Sequence, residues 1–106
     1  MAPVTFGPSP SSSSDQLDSD VVEIRVEVRD GTGRPSVRRV EVQQGEQVRL
    51  TVTSDVDDEV HVHGVDVEKR LRAGQPADLQ FRVRQPGIFP VETHEEGLEL
   101  LQLEVR

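Results

Sequence analysis

The sequence predicts an all-β fold, a β-sandwich of about seven short strands. From residue 21 onward, apolar and polar residues alternate with a period of two, which places one side of each strand in a core and the other in water. Glycine and proline turns separate these runs at regular intervals, as in sandwiches. No segment has the apolar spacing of a helix of normal length, and residues Val67–Leu71 are predicted to form one helical turn at most.

The alternation defines seven segments. The first is a half-buried antiparallel strand, and residues 43–46 form a hairpin-like connection between the second and the third. In the last segment the apolar positions shift from even to odd numbers after Leu100, which indicates a β-bulge or a loop that ends there. In chain order the segments are 21–29, 40–42, 47–53, 60–63, 77–83, 89–94 and 98–105.

The core is predicted to be aliphatic and rich in valine. The chain has three phenylalanines, no tyrosine and no tryptophan among its 106 residues. Valine is β-branched and favours strands over helices. A chain of this length holds one domain at most, which we assign to residues 21–106. Residues 1–20 are rich in proline and serine and are predicted to be a disordered tether.

The charge argues against several classes of partner. Twenty acidic residues against twelve basic ones give a formal net charge of −8, which argues against nucleic-acid binding and against an anionic membrane surface. No apolar stretch approaches the length of about 20 residues that crosses a bilayer.

The Pro- and Ser-rich start is typical of the spacer behind a cleaved signal or lipid anchor. We therefore expect an extracytoplasmic location, periplasmic or at the cell surface, with a lipid anchor in the full-length form as one alternative.

All three histidines lie two residues from another candidate metal ligand. His61 and His63 form one such pair, and Glu92 and His94 form the other. Residues two apart on a strand point to the same side, with Cα atoms about 6.6 Å apart. If the two segments meet, three imidazoles and a carboxylate gather into a set that suits a divalent transition metal such as copper or zinc. The expectation that carries this hypothesis is that the fold brings His63 beside His94.

The C-terminal half resembles a known family. The run Pro86-Gly-Ile-Phe-Pro-Val-Glu-Thr-His94, followed by Gly97 and a leucine-rich strand, is similar to the closing segment of cupredoxins, and residues 62–64 resemble the segment that bears their first histidine ligand. The resemblance implies a Greek-key β-sandwich that binds copper. By position, His63 and His94 match the two histidine ligands, and Glu92 lies near the place of the cysteine.

The departures from the family pattern limit what the resemblance implies. The chain has no cysteine, and Leu98 stands near the place of the methionine ligand, so a blue-copper electron-transfer centre is not expected. The sequence is closer to cysteine-free cupredoxin-like domains of exported bacterial proteins. The predicted function is binding of copper first and zinc second, through His63, His94, His61 and Glu92.

Other interpretations of the same residues stay open. The histidine pair could be an ordinary polar strand face, Glu92 could pair with a histidine or with Arg82, and the sandwich could be a metal-free scaffold that binds a protein partner. Asp66 and Glu95 are candidates for hydrogen bonding to the ligands. No catalytic or cofactor motif is present, so a binding module is favoured over an enzyme, with a small copper oxidase or dismutase-like enzyme as a third class.

Overall fold

The computed structural model describes residues 21–34 and 38–106, and the predicted tether at residues 1–20 lies outside the described residues. The described residues contain nine strands and no helix, and therefore no helix that could cross a membrane. The strands are β1 (Val21–Arg29), β2 (Thr32–Arg34), β3 (Arg39–Val42), β4 (Gln47–Ser54), β5 (Asp58–Val62), β6 (Val67–Leu71), β7 (Ala77–Arg82), β8 (Gly87–Thr93) and β9 (Glu99–Val105).

The strands form two sheets that pack face to face, which confirms the predicted β-sandwich. One sheet has five strands in the order β3-β9-β8-β5-β6, and the other has four in the order β2-β1-β4-β7. Each sheet mixes antiparallel pairs with one parallel pair, β9 with β3 in the first and β1 with β4 in the second. Edge strands of the five-stranded sheet are β3 and β6.

The core lies between the sheets and is aliphatic, as predicted. Valine dominates it, and Phe89 is its one aromatic residue among the described part of the chain, with Phe81 packed partly buried against it. Full burial of each Val or Leu side chain contributes about 1.5–3 kcal/mol relative to exposure. The largest fully buried side chains are Leu50, Leu71, Leu100, Leu101, Leu103, Val28, Val42, Val48, Val52, Val60, Val62 and Val83.

The irregularity predicted near Leu100 is a β-bulge. The register between β9 and β8 shifts between Glu99 and Leu101, and Leu100 and Leu101 are both buried although they are consecutive. Leu100 reaches Gly33 on the opposite sheet, where a Cβ added to the glycine would stand 3.2 Å from the leucine Cδ2. An extra residue in one strand lets both leucines face the core, which accounts for the shift of the pattern.

Two predictions about strand pairing differ from the structure, the first of them in part, because local patterns do not reveal strand partners. Strand β1 pairs in parallel with β4 and only its end pairs antiparallel with β2. Residues 43–46 form a tight turn, closed by a bond from the Glu46 N–H to the Gln43 carbonyl at 3.0 Å. This turn carries the chain from the five-stranded to the four-stranded sheet and therefore does not close a hairpin.

The helical turn predicted at Val67–Leu71 is also wrong, because these residues form the edge strand β6. Each of them pairs with β5, from Val67 opposite Val62 to Leu71 opposite Asp58. The intervening Glu, Lys and Arg are all exposed, so the sequence shows no alternation. Pairing with β5 supplies the strand conformation that the local sequence does not specify.

Candidate metal centre

The two predicted ligand segments lie on neighbouring strands of the five-stranded sheet. On β5, Val60 and Val62 are fully buried, whereas the side chains of His61 and of His63, which directly follows the strand, are 32% and 52% exposed. On β8, Phe89 and Val91 face the core, and Glu92 is half-buried on the other side. The alternation therefore places the His-x-His pair and Glu92 on the outer face of the sheet, as predicted.

The strand register decides which of these residues meet. His61 lies directly opposite Glu92, and the His63 N–H donates to the Pro90 carbonyl at 2.9 Å. The His94 N–H donates to the Glu59 carbonyl at 2.8 Å. His63 and His94 thus stand at levels four residues apart, about 13 Å along the strands. The fold therefore does not bring His63 beside His94. Strands β5 and β8 run antiparallel, and each histidine directly follows the C-terminal end of its strand, so the two residues lie toward opposite ends of the strand pair.

Contacts between side chains join three of the four predicted residues. His63 Nε2 lies 2.9 Å from Glu92 Oε1, a hydrogen-bond distance. The rings of His61 and His63 have centroids 4.9 Å apart and are tilted by 60°. Glu92 thus pairs with a histidine. Arg82, the other candidate partner, donates to the Gly45 carbonyl at 2.7 Å and approaches Gln47.

All four predicted residues nevertheless line one open surface depression of about 350 Å³. His94 contributes from the end of β8, and Thr93 and Gly97 complete the lining. Within residues 21–34 and 38–106, no three His, Asp or Glu side chains converge as a ready-made metal site. The side chains carry donor atoms of the kinds that suit Cu(II) or Zn(II), but they lie in close pairs and not in groups of three or more.

Asp58 holds the segment that follows His94, a role that the sequence analysis missed. Its side chain is 1% exposed and accepts hydrogen bonds from the backbone N–H groups of Glu59 and Glu95 at 2.7 Å and of Glu96 at 3.1 Å. Burial raises the pKa of Asp58, but these bonds and the nearby His94 outweigh it, so the pKa lies below its ordinary value. The sequence did contain a sign of this burial. Asp58 precedes Val60 by two residues and Val62 by four, so on a strand its side chain points to the same, inward side.

Gly64 fixes the end of the histidine pair. Its φ angle is +87°, and a Cβ added at this position would stand 2.8 Å from Cδ2 of Phe89. A positive φ is readily adopted by glycine and costly for other residues. The chain therefore turns directly after His63 with the Phe89 ring against the turn.

The two candidate hydrogen-bond partners of the ligands lie elsewhere. Asp66 is exposed in the β5–β6 turn with a φ angle of +56°. Glu95 Oε2 is 3.9 Å from the guanidinium of Arg70. Asp66 is therefore a solvated charge in a turn, and Glu95 is a solvated charge on the surface.

Several solved structures that are similar to this chain are copper proteins. A copper-binding protein solved by NMR in the apo form is 20% identical, with a TM-score of 0.65, and the match covers 82% of this chain and 89% of that one. The metal-binding domain of the Cu(I)-exporting P-type ATPase of Streptococcus pneumoniae D39, solved with Cu(I), is 11% identical, with a TM-score of 0.63 and coverage of 81% and 95%. A heme-copper terminal oxidase matches at 21% identity and a TM-score of 0.61 over 79% of this chain.

These likenesses identify the fold. The chain has a cupredoxin-like fold, and it contains no cysteine. It spans 65% of the oxidase chain. No family model matches the sequence, and no curated protein matches it.

Proposed function

We propose that this domain binds a divalent transition-metal ion, copper before zinc, through His63, His61 and Glu92, with His94 at the far end of the same depression. The domain would hold or pass on the ion and would not carry out blue-copper electron transfer, because the thiolate that such a centre requires is missing. A bound ion would supply Lewis acidity and, if copper, a redox couple. The protein would supply the nitrogen and oxygen ligands.

The observation that carries this proposal is the 2.9 Å separation of His63 Nε2 and Glu92 Oε1. Ligand atoms about 2.0–2.1 Å from one ion and at right angles to each other are about 2.9 Å apart, as in the tetragonal N/O sites of Cu(II). The spacing of this imidazole and this carboxylate is therefore compatible with neighbouring ligands on one ion, which supports the proposal. The His61 ring, 4.9 Å from that of His63, supplies a second imidazole on the same side.

Access and charge support the same proposal. The depression is open to solvent, and the side chains of His63 and Glu92 are 52% and 38% exposed, so an ion can enter without opening the core. The net charge of −8 attracts cations to the surface. The similarity to copper proteins adds that this fold holds copper elsewhere.

Isothermal titration of the untagged full chain with Cu(II) and Zn(II) tests the proposal. We expect a dissociation constant below about 10 μM, which corresponds to about −7 kcal/mol. The variants His63→Ala and Glu92→Gln should each weaken binding by about tenfold or more, and His94→Ala should have a smaller effect. Affinity weaker than about 10 μM for both ions, or affinity unchanged in His63→Ala, would refute the proposal.

Thermal unfolding supplies a second measurement. An ion that binds the native state alone raises the melting temperature, by an amount that grows with the logarithm of its excess over the dissociation constant. We expect excess Cu(II) to raise the midpoint of the wild-type chain and to leave that of His63→Ala nearly unchanged. A midpoint that does not move in excess metal would contradict native-state binding.

A metal-free interaction module is the second candidate function. It is favoured by the pairing of the polar groups with one another, since His63 meets Glu92 and His61 lies near Glu68. Side chains so paired form an ordinary polar sheet face. The same titration separates the two candidates, because an interaction module has no reason to bind Cu(II) more tightly than its His63→Ala variant.

We also propose an extracytoplasmic location for the protein. The proposal is supported by the Pro- and Ser-rich composition of residues 1–20. Cell fractionation of the native host checks it, and recovery of the protein in the cytoplasmic fraction alone would contradict it.

A further inference from the structure

We propose that Glu68 is a further ligand of the bound ion and that the site is therefore selective for divalent ions over Cu(I). The inference rests on the proposed metal-binding function and adds a residue from the edge strand β6. Glu68 lies directly opposite His61, and its Oε2 is 3.8 Å from His61 Nε2.

The register aligns Glu68, His61 and Glu92 in one row across β6, β5 and β8. His61 pairs with Glu68 on one side and with Glu92 on the other. Adjacent strands are about 4.8 Å apart, and directly opposite side chains on one face are close enough to interact. His61 is thus flanked by two carboxylates, and His63 adjoins the same row through its contact with Glu92.

Glu68 is free to move toward an ion. The 3.8 Å separation from His61 is too long for a hydrogen bond, so no such bond has to break. Its side chain is 54% exposed on an edge strand of the sheet, where rotamers change without repacking. His94, by contrast, lies one outward position beyond His61 and Glu92 along the strands, at the level of Glu59.

The resulting donor set has a definite chemical preference. Two imidazoles and two carboxylates are nitrogen and oxygen donors, and the carboxylates neutralise the charge of a divalent ion. Such donors suit Cu(II) and Zn(II), whereas Cu(I) prefers soft thiolate and thioether ligands. Glu68 would therefore strengthen divalent binding without strengthening Cu(I) binding.

The experiment compares Glu68→Gln with Glu41→Gln in the untagged full chain. Glu41 is a suitable control because it lies on β3, the opposite edge strand of the same sheet. Its side chain is 50% exposed, against 54% for Glu68, and it approaches Arg106 at 3.5 Å. Each variant removes one negative charge from the same face. Circular dichroism melts establish that both fold.

We expect Glu68→Gln to weaken Cu(II) and Zn(II) binding by about tenfold or more, because loss of even an outer-shell partner of a metal site costs about 10–100-fold in affinity. The variant should also have an altered Cu(II) electron paramagnetic resonance spectrum. Cu(I) affinity, measured by chelator competition, should not change, and Glu41→Gln should bind like the wild type. Wild-type affinity and spectrum in Glu68→Gln would overturn the inference while leaving the proposed function intact. Equal weakening in both variants would overturn it as a general charge effect. Absence of binding by the wild type would refute the function and the inference together.

Discussion

Replacement of Asp58 by alanine should destabilise this domain more than any single change to its exposed carboxylates. The Asp58 side chain is 1% exposed and accepts three backbone hydrogen bonds, two of them from Glu95 and Glu96. Hydrogen bonds to a charged group contribute about 1.5–3 kcal/mol each. These per-bond figures are not additive within one cluster, and leaving a buried donor without its acceptor costs about 1–3 kcal/mol. Because three donors lose one shared acceptor, we expect a loss of about 3 kcal/mol, the upper end of that range.

Urea unfolding followed by far-ultraviolet circular dichroism measures this loss. Asp57→Ala is the matched control, because Asp57 is an exposed neighbour that accepts one backbone bond, from Ala73 at 2.8 Å. We expect the control to lose less than about 1 kcal/mol. A loss below about 1 kcal/mol in Asp58→Ala, or equal losses in the two variants, would refute the reasoning.

The pH dependence of the same position supplies an independent check. The folded-state pKa of Asp58 is lowered, so the stability it contributes is present above its unfolded pKa of about 3.9 and is lost as pH falls through the lower folded value. The difference in unfolding free energy between wild type and Asp58→Asn should therefore be full at neutral pH and should shrink below about pH 4. A difference that grows on acidification would contradict the assigned sign.

Two further predictions concern other positions. Gly64→Ala should cost about 3 kcal/mol, from the positive φ and from overlap with the Phe89 ring. Gly74→Ala, with a φ of +80° and open space around the added Cβ, should cost about 1 kcal/mol in the same urea assay; equal costs would show that the ring contact does not matter. The pKa of Asp78 is lowered first by the Thr51 hydroxyl, which donates to it at 2.7 Å. Thr51→Val should raise that pKa in an NMR titration, and an unmoved titration curve would contradict the assignment.

The fold class was accessible from the sequence because alternation records which side of a strand is buried. It correctly oriented Val60 and Val62 inward and His61 and His63 outward. It also revealed the bulge near Leu100, since an extra residue shifts the pattern. The division of the chain at residue 20 stays a prediction, because that part lies outside the described residues.

The relative level of the candidate ligands was not accessible. Parity places His63 and His94 on the outer face, but only the pairing of β5 with β8 determines that His63 lies opposite Pro90 and His94 opposite Glu59. Register depends on contacts between distant segments, and a sequence alone contains no measure of it. The same reason hid the approach of Glu68 to His61.

The buried carboxylate of Asp58 was missed for a different reason. Asp58 lies in the run 54–59, which contains four acidic residues, and most charged residues are exposed. Its position in the alternation places the side chain toward the core, whereas its charge favours exposure to solvent. Such a conflict is tolerated where backbone donors surround the carboxylate, which for Asp58 come from its neighbour Glu59 and from the distant segment at Glu95.

The interior position of β9 in its sheet has a consequence for how the chain reaches its native state. This strand joins β8 on one side and β3 on the other, and Gln102 pairs with Arg39 across 63 positions of sequence. Contacts this remote are slow to form, since the intervening chain must lose its entropy before they stabilise anything. Until β9 docks, β3 and β8 present unpaired edges to other molecules. Unpaired strand edges favour aggregation of partly folded chains, so the insertion of β9 removes two such edges at once.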